Sequence, residues 1–287
     1  MSWFAFSLFS VISLAIAELS LQKILNTSKA LTPRTIAFLG YFLQSLCILP
    51  FVLIFFKAEF LSIFTAETFP RIVAVCIFSS IATIFYAKGF QVKNISISSI
   101  FGSFSIVVST CLGIYFYSEG TSLVKFAGII AILLSIVILN IKNVSLEKNH
   151  FYGLAAGFFY GICFVIDKGT VATITPAVYV FWLFLLSAFL CFMSNPKEVV
   201  VSIRNESFPT FKIIILTNIC FLLYNLLTYT AYTAGGEVGK VDAINSSQIF
   251  LIILFEYFIL KHKGSIGRKL LAATIAFAGV LIIGVYQ

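Results

Sequence analysis

Residues 94–140 read NISISSIFGSFSIVVSTCLGIYFYSEGTSLVKFAGIIAILLSIVILN. Two apolar runs, about 95–117 and 123–139, flank Ser-Glu-Gly-Thr at 118–121, so the stretch predicts two helices joined by a very short turn. The same design returns at 241–286, VDAINSSQIFLIILFEYFILKHKGSIGRKLLAATIAFAGVLIIGVY. There Lys-His-Lys-Gly at 261–264 makes the turn. Moving 144 positions along the chain lays the first copy over the second without a gap. Ser103 falls on Ser247, Gly120 on Gly264 and Lys125 on Lys269. The shared order is a small-polar helix start, an apolar run, a Gly turn and a Lys five residues on. A duplicated apolar half is the pattern of a membrane carrier built from repeats.

Composition agrees. Of 287 residues, 60% are hydrophobic and 10% charged, and the mean hydropathy is +1.07. A soluble domain needs roughly 25% charged residues to cover itself. The expectation is an all-α integral membrane protein, multi-pass and with no soluble domain; the longest polar stretch, 195–212, is loop-sized. A net charge of +8 does not imply nucleic-acid binding, because basic residues of membrane proteins gather in loops. The six cysteines all fall in apolar runs without metal-ligand spacing and read as small buried residues. Residues 1–25 lack a basic leader segment and read as a retained first span.

Ten spans are predicted, at about 3–25, 33–56, 70–89, 95–117, 122–141, 151–168, 174–193, 210–234, 241–260 and 267–286, each near the ~20 residues that cross a bilayer. Residues 1–142 form the first five-helix repeat, 143–150 a linker and 151–287 the second repeat. Five is odd, so the second copy enters from the opposite side and the repeats are inverted. Fourteen of the 19 Lys and Arg residues lie in loops after odd spans, which places those loops in the cytoplasm and both termini outside. Gly153, Gly157 and Gly161, four apart in the sixth span, align a small face where another backbone can approach. Ser7, Ser10, Ser13 and Ala17 give the first span a rougher one.

Ten spans in two inverted halves with short turns resemble the drug/metabolite transporter superfamily, and within it the EamA-like carriers. The residues that carry the likeness are Tyr86-Ala-Lys-Gly-Phe90 leading into Ile97-Ser-Ser-Ile-Phe101, then Gly120 and Lys125-Phe-Ala-Gly128. Their second-half echoes are Tyr229-Thr-Ala-Tyr232, Asp242-Ala-Ile-Asn-Ser246, Gly264 and Lys269. The resemblance implies a secondary carrier in the cell (inner) membrane with its termini in the cytoplasm, opposite to the charge count.

An ionisable group in the hydrocarbon layer costs several kcal/mol and faces a cavity or a partner. Glu18, fifteen residues into the first span with Gln22 at i+4, is the leading candidate for a proton or amine site. Asp167, beside Lys168, reads as interfacial, and Glu256 as paired with Lys261. In the eighth span Asn225, Thr228, Tyr229 and Tyr232 stand at i, i+3, i+4 and i+7, one stripe. Tyr86 holds the related place in the first copy. Asn245 and Gln248 belong to the polar opening turn of the ninth span, and Trp182 could close a cavity from the seventh. The alternative for all of them is interhelical hydrogen bonding and an aromatic belt.

There is no P-loop, dinucleotide turn or HExxH, so no enzyme, cofactor or metal site is expected. The expected function is secondary transport of small polar metabolites, amino acids or related amine-bearing solutes, with protons as a candidate coupling ion and lipid as the other partner. The alternative is a lipid-linked flippase or a non-transporting structural membrane protein. Nothing in the sequence sets an oligomeric state.

Overall fold

The computed structural model describes residues 2–28, 30–92, 95–120, 122–140, 148–258 and 266–285. Among these, thirteen α-helices and two short 3-10 turns account for nearly all regular structure, with no strand. The helices are α1 (Trp3–Thr27), α2 (Pro33–Phe55), α3 (Thr68–Gly89), α4 (Ile95–Gly102), α5 (Phe104–Tyr117), α6 (Leu123–Asn140), α7 (Phe151–Val171), α8 (Pro176–Ser194), α9 (Pro196–Arg204), α10 (Phe208–Thr233), α11 (Val238–Ser246), α12 (Gln248–Phe258) and α13 (Ile266–Val285). Eight segments of the described residues are long and apolar enough to cross a membrane. Their outward faces carry Phe9, Ile12, Ile54, Phe55, Leu216 and Phe189 well exposed. A patch of that extent fits lipid, not water.

The helix starts follow local chemistry. Proline opens α2, α8 and α9, where its missing N–H is not needed. Thr32 caps α2 by accepting from the Thr35 N–H at 3.2 Å, and Asn195 caps α9 from the Glu198 N–H at 3.3 Å. α9 falls in the stretch expected to be loop. Its Asn-Pro start is a helix signal that length alone hides. Arg34 donates to Glu198, and Ser202 bonds the Ala30 carbonyl, so α9 is tied to the start of α2. Ser118, at φ 50, ends α5 in the left-handed region. The predicted turn at 261–264 lies outside the described residues.

Two expected continuous spans are interrupted. The fourth stretch divides at Ser103 into α4 and α5, and the ninth at Ser247 into α11 and α12. These are the two serines matched by the 144-residue shift. Helices of the first half find their main neighbours in the second: α1 on α10, α3 on α7, α2 on α8 and α6 on α13. The largest core cluster lies between α2, α3, α7, α8 and α10, with Tyr179, Val180, Cys76 and Ile48 fully buried.

The glycine face of α7 meets the broken helix. A Cβ on Gly153 would stand 2.7 Å from the Ser98 carbonyl, one on Gly157 2.5 Å from that of Gly102, and one on Gly161 2.6 Å from Val108 Cβ. The face on α1 does related work: Ser7, Ser10 and Ala17 are fully buried, and the Ser10 hydroxyl donates to Asn245 Oδ1 on α11. The cysteines depart from expectation. Cys76, Cys163 and Cys191 are buried, but Cys47 and Cys111 are exposed, and all six are free. A thiol is apolar enough to lie on a lipid-facing surface, so position in an apolar run does not distinguish the two.

Candidate functional site

A cavity of about 180 Å³ runs through the middle of the helix assembly, bounded by residues of both halves. Glu18, Asp167 and Asp242 all line it, and each is at least 96% buried.

Glu18 comes from α1, whose small residues let α11 and α10 close in. Its Oε1 accepts the Tyr86 hydroxyl and the Gln248 amide at 2.8 Å. Its Oε2 accepts Ser99 at 2.9 Å. One carboxylate therefore ties α1, α3, α4 and α12. Gln22 does not join it, turning instead to the Val92 carbonyl at 3.3 Å.

Asp167, expected at the interface beside Lys168, is enclosed by protein. It is 1% exposed and accepts the hydroxyls of Tyr179 and, at 3.1 Å, Tyr229. Lys168 leaves it for Glu119, 2.8 Å away. The long lysine stem carries the charge outward while the short aspartate stays inside. Glu18 with Tyr86 and Asp167 with Tyr229 thus make two carboxylate–tyrosine pairs, one from each half.

Asp242, on α11, was not expected. Its Oδ2 accepts Ser105 at 2.9 Å and Ser109 at 3.0 Å, both on α5. It sits beyond the start of its helix, because α11 begins at Val238 rather than at the predicted 241. Gln44, Asn218, Tyr41, Tyr160 and Tyr224 also line the cavity. Lone amides and tyrosines inside apolar runs were the available signal for them.

Of the residues singled out from sequence, Glu18, Tyr86, Asn225, Tyr229, Asn245 and Gln248 line the cavity. Thr228 lies behind Asn245, accepting its amide at 3.0 Å. Tyr232 is buried against Tyr229. Trp182 stands apart, donating to the Phe60 carbonyl at 2.7 Å and packed among Phe60, Phe64 and Phe181. The side chain of Glu256 lies outside the described residues.

The cavity reaches Ile24 late in α1, Ile36 early in α2 and Ile214 early in α10. At its other end the halves are joined. Glu119 Oε1 accepts Lys168 at 2.8 Å and the Val238 N–H at 2.9 Å. Tyr117 donates to the Val165 carbonyl at 2.6 Å.

Residues 148–285 match the EamA-like transporter family. Those residues belong to that family. It lies within the drug/metabolite transporter superfamily, so the second half of this multi-pass membrane chain is similar to membrane transporters of that type. No curated protein matches the chain. A solved crystal structure of a protein superposes with a TM-score of 0.71 over 97% of this chain and 94% of the other, at 12% identity. That likeness is one of fold and covers both halves of the chain.

Proposed function

We propose that the protein is a secondary carrier for a small polar amine-bearing metabolite, which binds in the central cavity while two inverted five-helix halves rock around it. The observation that carries this reading is the cavity itself, lined from both halves by three buried carboxylates and the hydroxyls that hold them. Carboxylates at that depth are costly unless a cavity, a proton or a cationic guest compensates them.

Ten spans in an inverted repeat are supported by the packing. Exchanging first-half helices for their second-half counterparts turns α1 on α10 into α7 on α3, and maps α2 on α8 and α6 on α13 onto themselves. All four are observed contacts. The interruptions at Ser103 and Ser247 obey the same exchange. α6 and α13, 18 and 20 residues long, complete the ten. The junction of Glu119, Lys168 and Val238 closes one end of the cavity and must open when access alternates. The positive-inside count favours the open end in the cytoplasm and the termini outside; the membrane we propose is the cell (inner) membrane.

The test is accumulation in proteoliposomes with a panel of labelled metabolites, with and without a proton gradient. Uptake of an amine-bearing solute above the empty-vesicle level is the expected result. No uptake and no counterflow of any panel member by folded protein would overturn the carrier reading.

A further inference from the structure

Charge in the cavity is one-sided. Three carboxylates line it, and no Lys, Arg or His does so among the described residues. Lys168 and Lys240, neighbours in sequence of Asp167 and Asp242, hold Glu119 and Glu237 instead, at 2.8 and 3.1 Å. The lining amide nitrogens each give at least one of their two hydrogens to a backbone carbonyl: Asn218 to Ile214 at 2.8 Å, Asn225 to Phe221 at 2.8 Å, Gln44 to Gly40 at 3.1 Å.

Acceptors, by contrast, are left over. Gln248 is 7% exposed and its Oε1 is buried with no hydrogen-bond partner. Its Nε2 donates to Glu18 Oε1 at 2.8 Å, which leaves Oε1 as the acceptor of the amide. Asp242 lines the cavity and places both serine bonds on Oδ2, so that Oδ1 takes neither of them. Tyr160, Tyr224, Phe184 and Phe221 supply ring surface between these groups.

We propose that the cavity takes an organic ammonium ion that carries no carboxylate, held by Asp242 Oδ1 and Gln248 Oε1 beside Glu18. This names the substrate class of the carrier proposed above and rests on that reading. An ammonium has three donors and no acceptor, the complement of what the cavity offers. Its carbon chain meets rings, whose faces also attract the cation. A zwitterionic amino acid is refused, since its carboxylate would enter a water-poor site among like charges with no cation to receive it.

The experiment uses three probes of matched chain length, butylammonium, norvaline and butyrate, titrated calorimetrically against the purified full-length protein at one pH. Butylammonium is expected to bind, and the other two neither to bind nor to displace it. Asp242→Asn should weaken butylammonium at least tenfold. Gln248→Leu, which removes the vacant acceptor without touching α5, should weaken it several-fold and serves if the first variant misfolds. Norvaline or butyrate binding as tightly as butylammonium overturns the inference and leaves the carrier reading standing, as does binding of butylammonium that neither substitution alters in folded protein. Failure of all three to bind also overturns it. Butylammonium that binds as expected but shows no counterflow in proteoliposomes supports the ammonium site and counts against the carrier.

Discussion

Both oxygens of Glu18 are held by protein donors, the hydroxyls of Tyr86 and Ser99 and the amide of Gln248. The residue can exchange a proton or a guest only by loosening contacts to three other helices, which is how one side chain would inform the helices around it of its state. Glu18→Gln keeps the shape and most of the bonding but cannot titrate. If Glu18 carries protons, this variant loses gradient-driven accumulation and keeps substrate exchange across the vesicle membrane. Accumulation equal to the parent at every pH tested would show the residue to be structural. Asp167 and Asp242 show why residue-scale reading stopped where it did. Asp167 beside Lys168 looks like a surface pair until Glu119 is seen to take the lysine. Asp242 looks like a helix-end residue until the start of α11 is placed at Val238 instead of 241. Each depends on a partner from the other half, more than forty residues away, which no local pattern contains. Glu18 needed no such knowledge, since depth in an apolar run marks it.

Elements were the most legible scale, because a bilayer demands about 20 apolar residues per crossing and little else in the chain supplies them. The interruptions at Ser103 and Ser247 were not legible. No Pro marks either; Gly102 beside Ser103 is a weak kink signal, but Ser247 follows Ser246 with no glycine, and a serine in an apolar run is equally at home in an unbroken membrane helix. What the sequence did contain is the receiving surface, the Gly153, Gly157 and Gly161 stripe, against which α4 and α5 lie. Gly157→Leu would drive its side chain into the Gly102 carbonyl. The expected loss is about 1–3 kcal/mol or more, the usual range for overpacking, read as a lower melting temperature and a lower yield of monodisperse protein. Parent-like yield and melting would mean that α7 moves off the break without cost. The junction of Glu119 and Lys168 gives a second prediction. Lys168→Met leaves the 97%-buried Glu119 side chain without its cation, a change that costs about 3–5 kcal/mol in such pairs. Lys168→Met with Glu119→Gln should recover part of that loss in a thermal unfolding series. A double variant less stable than Lys168→Met alone would show that the two residues act independently.

For the whole molecule, orientation can be checked directly. The positive-inside count puts the C-terminus outside the cytoplasm, so a C-terminal reporter active only in the cytoplasm should stay silent; strong activity would reverse the orientation and leave the packing untouched. The cross-half packing reaches further, into biogenesis. During synthesis α1, α2, α3 and α6 enter the membrane before α10, α8, α7 and α13 exist. Each therefore waits in lipid with its polar or small-residue face uncovered; α1 waits longest, from Thr27 until α10 begins at Phe208, and α6 is paired last, by α13. The first half lacks its main packing partners at that stage. A stop codon placed before α13 would leave an orphan that the cell's quality control meets as unassembled membrane protein, not as a shortened carrier. By the same logic, the two halves made as separate chains in one membrane would have each other as their natural mates.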